Sequence, residues 1–87
     1  MTEPAQTSVE VLLFGPAARV AGARSVQVRV HASATASDVL RSLPQQHPEI
    51  AFALPGSRLA VNHAFAGADT IIRRGDELAL IAMVSGG

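Results

Sequence analysis

Two runs of strict period-two alternation, separated by a short connection, limit what this chain can become. In "SVEVLLF" (8–14), Val9, Val11 and Leu13 share one face of an extended segment, with Glu10, Leu12 and Phe14 on the other. The second face turns apolar toward its end. In "SVQVRV" (25–30), Val26, Val28 and Val30 point one way and Gln27 and Arg29 the other. Between them, "GPAARVAG" has Pro16 at a helix-start position and Gly22 as a natural stop, room for one helical turn or two. Strands joined by so short a crossing are expected to pair antiparallel.

The period changes at Thr35. "TASD" places Thr35 as an N-cap with Asp38 three residues on, a capping-box spacing whose acid suits the positive end of the helix dipole. Val39, Leu40 and Leu43 follow at helical spacing and form one buried stripe, and Pro44 predicts that the helix ends or bends near Leu43. In the irregular "QQHPEIAFALPG", Ile50, Phe52 and Leu54 are expected to cover the edge of the core through a short turn. "RLAVNHAFAG" reads as a hairpin turning at Asn62-His63, since asparagine tolerates the left-handed backbone of tight turns. "DTIIRRGDELALIAM" predicts a short extended piece from Asp69 to Ile72, a turn at Arg74-Gly75-Asp76 and a strong strand from Glu77 to Met83. The order strand, strand, helix, strand, strand, strand gives an α+β roll, a mixed sheet of about five strands with one main helix packed across it.

The 87 residues suit one domain, 1–87, and their 48% apolar content allows a compact core. Cysteine is absent, which removes disulfides, thiolate nucleophiles and cysteine-based metal sites, and any sulfur held on a side-chain thiol. The formal net charge is zero, without the basic footprint of a nucleic-acid binder. All seven basic residues are arginines, so no side-chain amine is present for Schiff-base chemistry or for growing a conjugate on this chain. No apolar run approaches the ~20 residues that span a membrane. "MTEPAQTS" lacks the basic and apolar regions of a signal peptide and is read as a frayed lead-in to a cytoplasmic domain.

Conventional chemistry is sparse. His31, His47 and His63 lie in three separate segments without ligand spacing, so surface or turn positions are expected and no metal site. Asp76 and Glu77 are adjacent and would point to opposite faces of a strand. Arg74-Gly75-Asp76 spells an adhesion tripeptide, but Gly75 is better explained as the positive-φ residue of a turn. Ser85 has no base or nucleophile-elbow motif near it. The unusual group is the end itself, "IAMVSGG", where Gly86 and Gly87 follow closely on a strand expected to be rigid. Without Cβ atoms they form a thread able to enter another protein's active site carboxylate first; the alternative is a loose end with no role.

The closing block "GDELALIAMVSGG", with "VEVLLFGPAARVAG" and "LAVNHAF" behind it, resembles the MoaD/ThiS family of β-grasp sulfur carrier proteins, most of all its MoaD branch, from about Val9 to Gly87. Where that family usually carries prolines just before the tail this chain has Ala82 and Met83, a departure that bears on tail stiffness and partner contacts. The resemblance implies a β-grasp (ubiquitin-like) roll with a flexible tail at 84–87 (Val84, Ser85, Gly86, Gly87). It implies that Gly87 is adenylated by an E1-like, MoeB-like enzyme consuming ATP. A sulfur donor then makes the thiocarboxylate, and sulfur passes to a pyranopterin precursor on the MoaE-like large subunit of molybdopterin synthase, in molybdenum cofactor biosynthesis. Catalytic groups belong to the partners, with no cofactor bound here. By the same similarity Phe14, Ile81 and Met83 are candidates for the partner interface. A carrier for thiamine or cysteine synthesis, a ubiquitin-like modifier joined to lysines, and a plain β-grasp binding module remain alternatives.

Overall fold

The alternating segments become paired strands in the computed structural model, which describes residues 6–82. β1 (Gln6–Leu12) and β2 (Ser25–His31) run antiparallel with Val9 opposite Val28 and Val11 opposite Val26. The connection between them is α1 (Gly15–Ala21), begun by Pro16 and ended by Gly22 in the left-handed conformation, φ 67°. α2 (Ala36–Gln46) follows, then a 3₁₀ turn (Pro48–Ala53) and three strands: β3 (Ser57–Val61), β4 (Ala64–Phe65) and β5 (Leu78–Ala82). The sheet order is β2-β1-β5-β3-β4. β5 lies parallel to β1 and antiparallel to β3, so the last strand occupies the centre of a mixed sheet.

One face of the sheet carries the core. Val9, Val11 and Leu13 join Val26, Val28 and Val30, Leu59, Leu78 and Leu80, and on them pack Val39 and Leu43 of α2 with Ile50 and Ile72. Val11, Val28, Val39, Leu43, Ile50 and Leu78 are fully buried, whereas Leu40 is only half-buried at the side of the stripe. Burying such side chains contributes about 1.5–3 kcal/mol each, the main favourable term for so small a fold. No buried side-chain nitrogen or oxygen is left without a partner among the described residues.

The capping box forms as read: Asp38 N–H donates to Thr35 Oγ1 and Thr35 N–H to Asp38 Oδ2. Ala36 and Ser37 N–H groups, also unpaired by helix geometry, donate to the Thr70 and Ala68 carbonyls. The start of α2 is thereby tied to the long connection between β4 and β5.

Four expectations need correction. Pro44 does not end α2, which runs to Gln46. Proline removes one N–H from the ladder, but the next turn is compensated: His47 N–H bonds the Leu43 carbonyl at 2.7 Å, Gln46 bonds both Arg29 N–H and Arg29 C=O, and His47 Nε2 meets the Gln27 carbonyl. Phe52 does not cover the core; it is 55% exposed. With three residues per 3₁₀ turn, Ile50 and Ala53 share a face and Phe52 falls outside it. The piece from Asp69 to Ile72 is a turn at Asp69 followed by a single bridge from Ile71 to Thr35. Asp76 and Glu77 precede β5 rather than alternating within it; Met83, expected in that strand, lies outside the described residues. Among the described residues no helix is long and apolar enough to cross a membrane.

Candidate functional site: the outer sheet face and the root of the tail

Each strand also has a face turned from the core, and at one end of the sheet that face is apolar. Leu12 and Phe14 follow from the changing alternation of β1; Ala79 and Ile81 alternate with Leu78 and Leu80; Ala60 opposes Phe65 across the hairpin. These residues line an open depression of about 340 Å³, closed at one side by His63 and Glu77. Phe14 and Phe65 are 57% and 48% exposed, an arrangement of apolar surface unusual for a solvated sheet face and suited to a protein partner.

Beyond Phe14 lies a second groove of about 270 Å³, walled by Pro16, Phe52, Pro55, Leu80 and Ala82. Phe14 therefore stands between two apolar hollows, and Ala82, the last described residue, forms part of the second. β5 enters this corner hydrogen-bonded in the middle of the sheet, Ser57 pairing with Ala82 and Arg58 with Ile81. The end of β5 is thus anchored in the sheet, near exposed Phe14 and Phe52.

The opposite end of the depression is built by the hairpin turn. Asn62 and His63 both hold positive φ, 52° and 72°, as an Asn-initiated tight turn requires. Asn62 side-chain amide donates to Asp76 Oδ1, its carbonyl oxygen accepts Glu77 N–H, and its backbone N–H bonds the Glu77 carbonyl. Asp76 also accepts Arg73 N–H at 2.7 Å across the turn in which Gly75 has φ 90°. That backbone bond, then the Asn62 amide, holds the Asp76 carboxyl below the usual carboxylate range. His63 Nε2 approaches Glu77 Oε1 at 2.7 Å on the surface.

Phe14 and Ile81, named from the sequence as interface candidates, line the same depression. Met83 and the tail residues Val84, Ser85, Gly86 and Gly87 lie outside the described residues. Phe65, Phe52 and Arg58 were missed. Phe65 was legible as the residue across the turn from Ala60; Phe52 was not, because its placement depends on the helix type of an irregular segment. The three histidines stay apart, each near one carboxylate: His31 by Asp38, His47 by Glu49, His63 by Glu77. No group of three metal-ligating side chains forms among the described residues. Among the described residues the arrangement is an exposed apolar face beside the end of β5.

A family model described as the ThiS family matches residues 11–87. The chain belongs to that family. SAMP1 from Haloferax volcanii is 35% identical, with 93% of this chain and all of that one covered and a TM-score of 0.76. A putative molybdopterin converting factor subunit 1 from Pyrococcus furiosus matches at 18% identity over 88% of this chain and 98% of that one, TM-score 0.75. A complex of subunits 1 and 2 of the molybdopterin-converting factor from Helicobacter pylori contains a chain matching at 24% identity, covering 93% of this chain and all of that one, TM-score 0.62. The fold of the ThiS-family chain is accordingly the ubiquitin-like β-grasp roll. Its class is that of sulfur carriers and ubiquitin-like modifiers.

Proposed function

We propose that this chain is a sulfur carrier whose reacting group is the carboxylate of Gly87, acting as the small subunit of a molybdopterin synthase. A carboxylate is a poor electrophile because its charge is delocalised and oxide is a poor leaving group. Attack of the Gly87 carboxylate on the α-phosphorus of ATP, in an E1-like, MoeB-like enzyme, releases pyrophosphate and gives an acyl-adenylate. A sulfur donor then displaces AMP and leaves a thiocarboxylate. In the large subunit the tail gives that sulfur to a pyranopterin precursor. This chain supplies no catalytic side chain to these steps and holds no cofactor; it supplies a thread and a surface.

The observation that carries the reading is the joining of a glycine-pair terminus to the central strand of the sheet, beside an exposed apolar face. Gly86 and Gly87 suit a narrow channel, where backbone hydrogen bonds set register and a side chain would displace the reacting carbon. Phe14, Ile81 and Met83 are assigned to the docking surface, with Val84 and Ser85 as the spacer. The Pyrococcus and Helicobacter likenesses support a second, large subunit as partner.

The 35% identity to SAMP1, a small archaeal modifier protein, favours one other reading, in which activated Gly87 is joined to lysines of target proteins. Activation is common to both readings and the acceptor separates them. The test is a host strain carrying tagged wild-type chain or a chain lacking Gly86 and Gly87. Lost molybdopterin with no lysine-linked adducts supports the carrier; adducts that vanish on truncation while molybdopterin persists support the modifier.

A further inference from the structure

Arg58 lies on the outer face of β3, and its surroundings are specific. It stands opposite Ile81 in the β3–β5 register, one pair before the root of the tail. Its guanidinium lies over the Phe65 ring, 4.6 Å from the centroid. Such stacking holds the planar group by its face and leaves its edge donors directed outward. Among the described residues no carboxylate pairs with it and no acceptor takes its N–H groups. The acids at this surface are already engaged: Glu77 with His63, Glu10 with the Ser25 hydroxyl, Asp76 with Arg73 N–H and Asn62.

We propose that Arg58 is the specificity-determining charge of this face, and that the activating enzyme docking there presents an aspartate or glutamate to its edge, beside apolar side chains seated around Phe14 and Ile81. The occupant is a protein carboxylate rather than a phosphate on charge grounds. Arg29, the other outward arginine of the sheet, is on β2, three strand spacings or roughly 14 Å away. A single guanidinium fork matches one carboxylate, and no second cation converges with it on a phosphate. Because Phe65 already orders the side chain, little rotamer freedom is lost on pairing. The outer face is also asymmetric, with the unpaired Arg58 opposite Ile81 and the paired His63–Glu77 at the hairpin turn. A partner reading it is oriented with its active site toward the Ala82 end of β5.

This inference rests on the carrier reading, and the test separates the two. Association of the full-length chain with the E1-like enzyme of its own host is followed by stopped flow across a salt series, beside ATP–pyrophosphate exchange as the measure of activation. Wild type is compared with Arg58→Ala, Arg58→Glu and Arg58→Lys, each checked for an unchanged circular-dichroism melt. Charge reversal is expected to slow association about tenfold at low salt and to flatten its salt dependence, with Ala between and Lys retaining most of the rate. Wild-type exchange together with unaltered association of the Ala and Glu variants overturns the role of Arg58 alone. A wild-type chain that supports no exchange overturns the carrier reading, and this inference with it.

Discussion

At the scale of single residues, the turns around the hairpin depend on Asp76. Its carboxylate accepts Arg73 N–H and the Asn62 amide, so the charged form is favoured in the folded state and the group titrates below its ordinary value. The sign of the pH effect follows. The stabilisation is complete above the unfolded value of about 3.9 and is lost as pH falls through the lower, folded value. Asp76→Asn is therefore expected to lower stability at neutral pH by roughly 1–2 kcal/mol and to flatten the acid limb of a stability–pH curve below about pH 4. Urea titrations at a series of pH values check both. Asn62 and Gly75 were legible as turn residues because each has a conformational reason to sit there. The Asp76 bridge was not, since it joins two turns fourteen residues apart and local turn rules do not say which turns meet.

At the scale of elements, α2 shows which sequence signals are decisive. The Thr35–Asp38 box formed as its spacing indicated because both partners are local. Thr35→Ala is expected to destabilise the fold by about 1 kcal/mol, measurable by thermal or denaturant melts, because it leaves a helix-end donor without its acceptor. Pro44 misled because the compensating bonds come from β2, which no helix rule contains. Those same bonds close the outer edge of the sheet. Gln46 occupies the exposed N–H and C=O of Arg29 as a neighbouring strand would, which removes a template for pairing with another chain. Gln46→Ala is thus expected to speed hydrogen exchange at the Arg29 amide by about an order of magnitude while β1 amides stay protected. Unchanged exchange at Arg29 would show that the side-chain bonds add nothing to the edge.

At the scale of the whole molecule, the sheet separates two tasks between its faces. One face binds the helix through Val11, Val28, Leu59 and Leu78; the other is left free around Phe14, Ala79 and Ile81. Replacing Phe14 or Ile81 by aspartate removes exposed or half-exposed apolar surface, so the melting temperature is expected to change little while binding to the proposed activating enzyme falls at least tenfold. Calorimetry on the same samples reads both. The α+β roll, the paired opening strands and the central hairpin were visible in the sequence because alternation and turn chemistry are local. The placing of β5 between β1 and β3 was stated neither from periodicity nor from the family resemblance, since pattern reports which face a strand buries but not its neighbours. Phe14 and Ile81 were named from that resemblance; Arg58 acquires meaning only once Phe65 is folded beneath it.

The central claim is that the end of this chain is its chemistry. Intact-mass spectrometry of the full-length protein, incubated with its E1-like enzyme, ATP and a sulfide source, tests that claim most directly. The expected result is a mass gain of one sulfur replacing one oxygen, confined to the C-terminal peptide, dependent on ATP and absent when Gly87 is deleted. An unchanged mass, under conditions in which the same enzyme adenylates another carrier, would contradict it.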